Sequence, residues 1–500
     1  MFKKILIANR GEIAIRVAHA CKELGIHTVG VYSTVDENSY HLRFMDDSYW
    51  IGDSTPQASY LNIDNIIAAA KQSGAQAIHP GYGFLAENSG FAKACEENGI
   101  VFIGPCSRAL ALVGDKIASR KTVQKVGVPI IPGMQIADKE ISIFSKIARR
   151  VGYPVIVKAS MGGGGKGMRI VHTEQELEAS VQAGQREAKS AFGDETVYLE
   201  KYIECPRHIE FQVLRDNHGN VVHLFERECS IQRRHQKIIE ETPSTAIDEK
   251  LRRDMGEAAK KVIEVAEYTN AGTVEFLLDD TLNFYFLEVN ARVQVEHPIT
   301  EMVTGVDLVR QQILIAADRR IDLKQTKIEQ RGHAIEARVY AEDPENKFLP
   351  CPGRILFLNE PSGPGVRVDS GIYQGWNVPP HYDPILSKLV VWAEDRDGAI
   401  KRMSNALKNY VILGIKTNLG YLKRVMNTRK FVEGNYHTHF INENQSELKL
   451  SEKNLPEVLA ASAILIAGDE RAFRASAEVA PSEYRITPWQ ELGEWEICRH

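Results

Sequence analysis

Residues 272–298 read GTVEFLLDDTLNFYFLEVNARVQVEHP. Two apolar and aromatic runs flank the polar turn Asp279-Asp280-Thr281-Leu282-Asn283, which is the pattern of an antiparallel hairpin. A hairpin centred between Thr281 and Leu282 sets Glu275 opposite Glu288, with Cβ atoms about 4.5–5.5 Å apart. Like charges at that spacing destabilise a sheet unless something offsets them. Phe276, Phe286 and Leu287 beside them point to a partly buried position. A Mg²⁺ ion, which keeps room for water and phosphate oxygens, is the economical partner. Side chains alternate along a strand, so Asn290, Arg292, Gln294 and Glu296 are expected on the same side as Glu288. Two surface glutamates would need no such company.

The next informative stretch is KASMGGGGKGMRIV, residues 158–171. A P-loop requires G-x-x-x-x-G-K-[ST], but Lys166 is followed by Gly167 and Ser160 occupies the first glycine position. The dinucleotide spacing is met by Gly162, Gly164 and Gly167, yet a strand follows instead of the helix whose N-terminus would hold phosphate. The run therefore reads as a hairpin tip between PVIVK and MRIV. Glycine costs about 0.5–1 kcal/mol per position in chain entropy, too much for a simple turn. Backbone N–H groups folding over an anion, with Lys158 and Lys166 adding charge, explain the excess.

A third cluster, ERECSIQRRHQKIIEE (226–241), brings together Gln232, Arg233, Arg234, His235 and Lys237. Taken alone, such a charge run usually covers a solvated face. Cys229 within it reads as a packed thiol, since no positioned base is evident.

Around these motifs the chain is ordinary and globular. Of 500 residues, 43% are hydrophobic and 25% charged, and 61 Lys+Arg against 66 Asp+Glu leave a net charge of −5. That balance offers no nucleic-acid or membrane surface. The seven cysteines are scattered and form no C-x-x-C pair, which fits a reducing, cytoplasmic setting without structural zinc. A prior of about 150 residues per domain suggests roughly three domains. The first hundred residues alternate strand and helix (KILIA, GEIAIRVAHACKELG, HTVGVYS, NIDNIIAAAKQSG, AQAIHPG, NSGFAKACEENG, IVFIG), predicting a parallel, doubly wound sheet. Its first turn, ANRGEIA, lacks G-x-G-x-x-G, so a nicotinamide site is set aside. Further on, helices are expected at 115–126, 173–180 and about 248–268. Strands are expected at TVYLEKYI, HIEFQVLRD, NVVHLFERE, HAIEARVYA and GRILFLN, then a helix at RDGAIKRMSNALKNY.

Lys116, Lys158, the glycine hairpin, Glu200-Lys201, His208 and the Glu275/Glu288 pair fall in an order that resembles the ATP-grasp superfamily. The phrases IANRGEIA, HPGYGFLAEN, CSIQRRHQKIIEE, EVNARVQVEHPITE and EARVYAEDP resemble one family in it, biotin carboxylase, over about residues 1–445. The resemblance implies a Rossmann-like, doubly wound α/β domain (1–114), an ATP-grasp domain (115–330) with a lid at about 131–204, and a C-terminal α+β domain (331–446). Residues 447–500 would be an extension, either a packing tail or a partner-docking segment.

By the same resemblance, ATP would be bound by Lys116, Lys158, Gly163, Gly164, Gly165, Lys166, Glu200, Lys201, His208, Gln232, His235, Glu275 and Glu288. Glu275, Glu288 and Asn290 would hold Mg²⁺ or Mn²⁺. Bicarbonate would lie among Lys237, Arg292, Gln294 and Val295, with Glu296 as its general base, and Arg338 would stabilise the enolate of biotin. No methionine pair flanks a lysine as in a biotin attachment site, so biotin is expected on a separate carrier protein. The other expected partners are a second copy of the chain and a carboxyltransferase subunit. The rivals are an ATP-grasp ligase making carbamoyl or aminoacyl phosphate and a silent nucleotide-binding module. The set Arg292, Gln294, Glu296 and Arg338 argues against both.

Overall fold

The computed structural model describes residues 1–134, 140–159, 168–192, 194–234, 236–450 and 462. The glycine run at 160–167 (with Gly163, Gly164, Gly165 and Lys166), His235 and nearly all of the extension lie outside the described residues.

The N-terminal strands are β1 (Lys4–Ile7), β2 (His27–Tyr32), β3 (Asp47–Trp50), β4 (Ala77–His79) and β5 (Val101–Phe102). They form the expected parallel sheet in the order β3-β2-β1-β4-β5. Helices Gly11–Glu23, Ile63–Ser73 and Ser89–Glu97 lie between the strands in sequence, the last two started by Asn62 and Asn88 accepting a backbone N–H. Only β3 escaped the sequence reading. It is an edge strand whose residues are exposed or half-buried, so it carries no apolar run. The strand order reverses between β1 and β4, and the loops after those two strands are tied together. Asn9 donates Nδ2 to the carbonyls of Pro80 (2.7 Å) and Tyr82 (2.8 Å). Gly81 sits at φ +62°, and a Cβ there would come within 2.9 Å of Asn9 Nδ2.

β6 (Val155–Ala159), β7 (Arg169–Val171) and β8 (Val197–Lys201) form a small antiparallel sheet in the order β7-β6-β8. The strands flanking the glycine run therefore pair as expected, Val157 opposite Arg169. Helices Ile141–Val151 and Glu174–Phe192 close a separate core over it, around Phe144, Val157, Leu177 and Leu199. The second helix runs well past the expected 173–180. The first was not anticipated, although Ile141, Phe144, Ala148 and Val151 have helical spacing.

The main sheet contains β9 (Arg207–Arg215), β10 (Val221–Arg233), β11 (Gln236–Thr242), β12 (Asn270–Leu278), β13 (Phe284–Asn290) and β14 (His333–Tyr340), then strands Ile385–Ala393 and Val366–Ser370. Its order is β13-β12-β9-β10-β11-β14, then Ile385–Ala393 and Val366–Ser370, with every neighbour antiparallel. This one sheet runs across position 331. Two expectations are corrected here. The charge run at 226–241 is no solvated face: it forms β10 and β11, with Cys229, Ser230, Ile231 and Glu240 buried. GRILFLN is not one strand but two short ones, Gly353–Arg354 and Phe357–Asn359, in different small sheets.

Candidate active site

Glu275 and Glu288 face each other across β12 and β13, as the hairpin pattern requires. The turn is not centred where the sequence placed it. Asp279 pairs with Asn283 at the tip, Leu282 adopts a left-handed φ of +65°, and Phe276 pairs with Phe286. One extra residue, Leu287, then bulges from β13 and restores the Glu275–Glu288 register. Regular alternation also ends sooner than expected, because β13 stops at Asn290. Residues 291–296 are irregular, and Glu296 is the N-cap of helix His297–Thr304. Arg292, Gln294 and Glu296 still converge, through this bend instead of a strand face.

The centre of the convergence is Lys237 on β11. Its ammonium reaches Glu296 Oε1 at 2.7 Å, Glu275 Oε1 at 2.9 Å and also Glu210 of β9. Burial alone would lower Lys237, but Glu210, Glu275 and Glu296 outweigh it and hold it charged well above its ordinary value. Glu296 is fully buried, and its second oxygen accepts Arg338 Nη2 at 2.8 Å. Burial would raise Glu296; Lys237, then Arg338 and Arg227, pull it well below the ordinary carboxylate range. Cys229 Sγ lies 3.8 Å from Glu296 Oε1. Burial and then Glu210 push that thiol far up, so it is a packed thiol, as read from the sequence.

Arg292 ties this bend to Glu87. It donates to Glu87 (3.2 Å), to the Val293 carbonyl (3.2 Å), to Gln294 Oε1 (2.9 Å) and to Asn290 Oδ1 (3.4 Å). Because Arg292 fixes Oε1 as the acceptor, Gln294 Nε2 is left buried and with no hydrogen-bond partner among the described residues. A buried orphan donor is costly, and next to the Arg292 guanidinium it is suited to an anion. The Val295 carbonyl accepts Lys388 Nζ at 3.0 Å.

His208 connects the two halves of the site. Gln232 Nε2 donates to the Cys229 carbonyl (2.8 Å), which can only accept, and to His208 Nδ1 (3.0 Å). The imidazole proton therefore sits on Nε2, which faces Glu275 Oε2 at 3.3 Å. On the small sheet, Lys158 Nζ donates to buried Glu200 at 2.7 Å, and Arg120 pairs with the same carboxylate. Burial, with the neighbouring Arg120 and Lys116 cations, draws Lys158 down to about 8. Lys116 Nζ stands 3.6 Å from Glu288 Oε2. Lys201 does not join this group: its ammonium is taken by the carbonyls of Gly152 (3.1 Å) and Tyr153 (2.8 Å).

Several residues of this cluster went unread in the sequence, among them Glu87, Arg120, Glu210, Arg227 and Glu240. A signal for Glu210 existed: His208, Glu210 and Gln212 alternate with Ile209, Phe211 and Val213 in a strand buried on both faces.

The donor set suits a hard divalent cation. Glu275 and Glu288 offer carboxylate oxygens across one pair of strands, with Asn290 at the strand end. Glu288 is raised by burial and by Glu275, and Lys116 at 3.6 Å only partly offsets that repulsion. A second positive charge between the two glutamates would relieve it.

Three sequence families match the chain. Residues 1–110 match the biotin carboxylase N-terminal domain, 115–324 the carbamoyl-phosphate synthase L chain ATP-binding domain, and 336–443 the biotin carboxylase C-terminal domain. A pyruvate carboxylase subunit of Methanothermobacter thermautotrophicus is 54% identical over 443 residues, 89% of this chain and 90% of that protein. Biotin carboxylase of a Nostoc species is 52% identical over 442 residues, 88% of this chain and 99% of that one. The biotin carboxylase domain dimer of Hydrogenobacter thermophilus 2-oxoglutarate carboxylase was solved with MgADP, ADP and bicarbonate. It superposes with a TM-score of 0.86 at 46% identity, covering 90% of this chain and 100% of that one. Motifs, sheet order and these matches agree from the first residues to about 443, and the chain belongs to the biotin carboxylases.

Proposed function

We propose that the chain carboxylates biotin on a separate carrier protein, using ATP and bicarbonate, as the first half-reaction of a biotin-dependent carboxylase. The carrying observation is the ionised, buried Glu296 between Lys237 and Arg338, with Gln294 Nε2 two residues earlier unpartnered among the described residues. Lys116, Lys158, His208 and Gln232, with Glu200, line the side on which ATP binds. The lid residues 163–166 and His235 are assigned to ATP by motif alone.

Glu275, Glu288 and Asn290 hold Mg²⁺, which when bound neutralises phosphate charge. Bicarbonate enters between Lys237 and Glu296, with Arg292, Gln294 and the Val295 backbone fixing its orientation. Its approach loosens the Lys237–Glu296 contact, and Glu296 becomes more basic as that cation turns to the new anion. Glu296 then takes the bicarbonate proton, and the freed oxygen attacks the γ-phosphorus of ATP. A new P–O bond forms, the β–γ bridging bond breaks, and ADP leaves carboxyphosphate behind. Carboxyphosphate yields CO₂ and phosphate, and phosphate removes the ureido proton of biotin. Arg338 stabilises the enolate oxygen while the ureido nitrogen attacks CO₂.

The partners follow from the same reading: a biotin carrier protein, a second copy of the chain as in the Hydrogenobacter domain, and a carboxyltransferase. We place this assembly in the cytoplasm; among the described residues no helix is long and apolar enough to cross a membrane. Pyruvate and 2-oxoglutarate carboxylases both stand among the relatives, and acyl-CoA carboxylation for fatty acid synthesis uses the same half-reaction.

The test is ATP hydrolysis with and without bicarbonate and free biotin. Wild-type turnover should require bicarbonate, and Glu296→Ala should lower it about a hundredfold or more. Hydrolysis indifferent to both substrates would sink the proposal.

A further inference from the structure

Behind Arg338 lies a pair of carboxyls that the reaction above does not use. Glu240 of β11 and Glu336 of β14 are direct cross-strand partners, and both are fully buried. Opposed side chains on paired strands lie about 4.5–5.5 Å apart at Cβ. Arg338, two residues along β14, shares their face and donates Nε to Glu240 Oε1 at 2.6 Å while Nη2 reaches Glu296. Glu240 Oε2 and both oxygens of Glu336 have no hydrogen-bond partner among the described residues. The nearest other cation on this face, Lys388, is occupied by Glu12 (3.1 Å), Asp369 (3.6 Å) and the Val295 carbonyl. Two adjacent buried carboxyls, of which Glu240 alone has an ion-pair partner among the described residues, do not both ionise at neutral pH.

We propose that Glu240 and Glu336 hold one proton between them, resident on Glu336, and that ionised Glu240 is a positioning residue dividing Arg338 between itself and Glu296. The proposal rests on the reading of Glu296 as the base. While Glu240 is ionised, Arg338 gives Glu296 only part of its charge, so Glu296 keeps more of its basicity and the guanidinium stays in line for its enolate. When Glu240 takes up a proton, Arg338 turns its full charge on Glu296 and weakens the base.

The groups facing Glu240 agree in sign. Burial raises it, Arg338 and Lys237 of its own strand lower it, Glu296 from the helix start raises it, and the outcome is about 7. Cys229 of β10 and Tyr340 of β14 stay neutral, both pushed up by their own burial. Glu336 is raised far more, by burial first and by Glu240 among its neighbours, with Lys388 and Arg338 opposing. Glu240 is thus ionised above about pH 7 and protonated below it. The maximal rate should fall as pH drops through that value.

The experiment measures kcat and KM for ATP in bicarbonate- and biotin-dependent hydrolysis by the full chain between about pH 6 and 9. Glu240→Gln should lower kcat about tenfold, leave KM for ATP within about twofold and abolish the acid limb of the kcat profile. Glu240→Asp should restore the limb, and the limb should survive in Glu336→Gln. If Glu240→Gln does not fold, Glu240→Asp and Glu336→Gln still decide which carboxyl owns the limb. A wild-type kcat and limb in Glu240→Gln, or a limb lost with Glu336→Gln alone, overturns the proposal. Glu296→Ala assayed in parallel separates the two readings. Its loss of activity beside a normal Glu240→Gln overturns only the pairing, whereas normal activity in Glu296→Ala overturns the base itself.

Discussion

Glu288 carries the metal reading at the level of single residues. Glu275 already has Lys237 and His208 in contact, whereas among the described residues the one ion pair of Glu288 is with Lys116 at 3.6 Å, and Glu288 is raised by burial and by its twin. Reversing its charge places an ammonium where a cation should sit. Glu288→Lys should weaken Mg²⁺-dependent ATP binding by more than about tenfold in calorimetry, and unchanged affinity would refute the paired-carboxylate argument. Glu275 and Glu288 were legible because polar residues in an otherwise apolar hairpin stand out. Glu240 and Glu336 were not: in KIIEE and HAIEARVYA a glutamate near other polar residues reads as surface, and only strand pairing reveals that both are buried. Lys201 shows the converse. Its place in the motif is legible, but its ammonium is spent on two backbone carbonyls.

At the level of elements, the β12–β13 hairpin reaches the right pairing by two offsets that a sequence does not display. The three-residue turn moves the register by one, and the Leu287 bulge moves it back. Leu282 occupies the left-handed region at φ +65° and is 53% exposed, so its side chain gains little there. An L-residue in that conformation costs roughly 1–2 kcal/mol, and Asn tolerates it better. Leu282→Asn should therefore stabilise the protein by about 0.5–1 kcal/mol, seen as a higher urea midpoint at unchanged slope with unaltered ATP turnover. A lower midpoint would show that Leu282 packs in a way its exposure conceals. The edge strand β3 and the helix Ile141–Val151 were missed for opposite reasons. One has no apolar signal, and the other has helical spacing broken by serine and arginine.

Over the whole molecule, the sheet that carries the site continues into the C-terminal region through β11 and β14. Glu241 ties that junction together. Buried Glu241 accepts Arg396 Nε (2.8 Å) and Nη2 (3.0 Å), His333 Nε2 (2.5 Å) and the Tyr436 hydroxyl; His333 and Tyr436 are buried as well, and Arg396 is half-buried. Burial would raise Glu241, but His333 and Arg396 bring it down to about 2. A depressed carboxylate stabilises the fold above its unfolded pKa of about 4.5, and that contribution, about 3 kcal/mol, is lost as pH falls towards 2. Glu241→Gln should remove about 3 kcal/mol at neutral pH and flatten the acid limb of the stability curve, read by urea unfolding at pH 7 and pH 3. Equal losses at both values would mean that the carboxylate charge is not what holds the junction.

The sequence by itself determined the parallel N-terminal sheet and the opposed glutamates. Those depend on local periodicity, turn chemistry and residue type, which are written in neighbouring positions. The tertiary structure alone decided that Lys237 serves three carboxylates, that Arg338 is divided between Glu240 and Glu296, and that the charge run of 226–241 is buried. The reason is physical: whether a charged side chain meets water or another charge depends on which strands lie beside its own. In this protein those neighbours come from positions far along the chain.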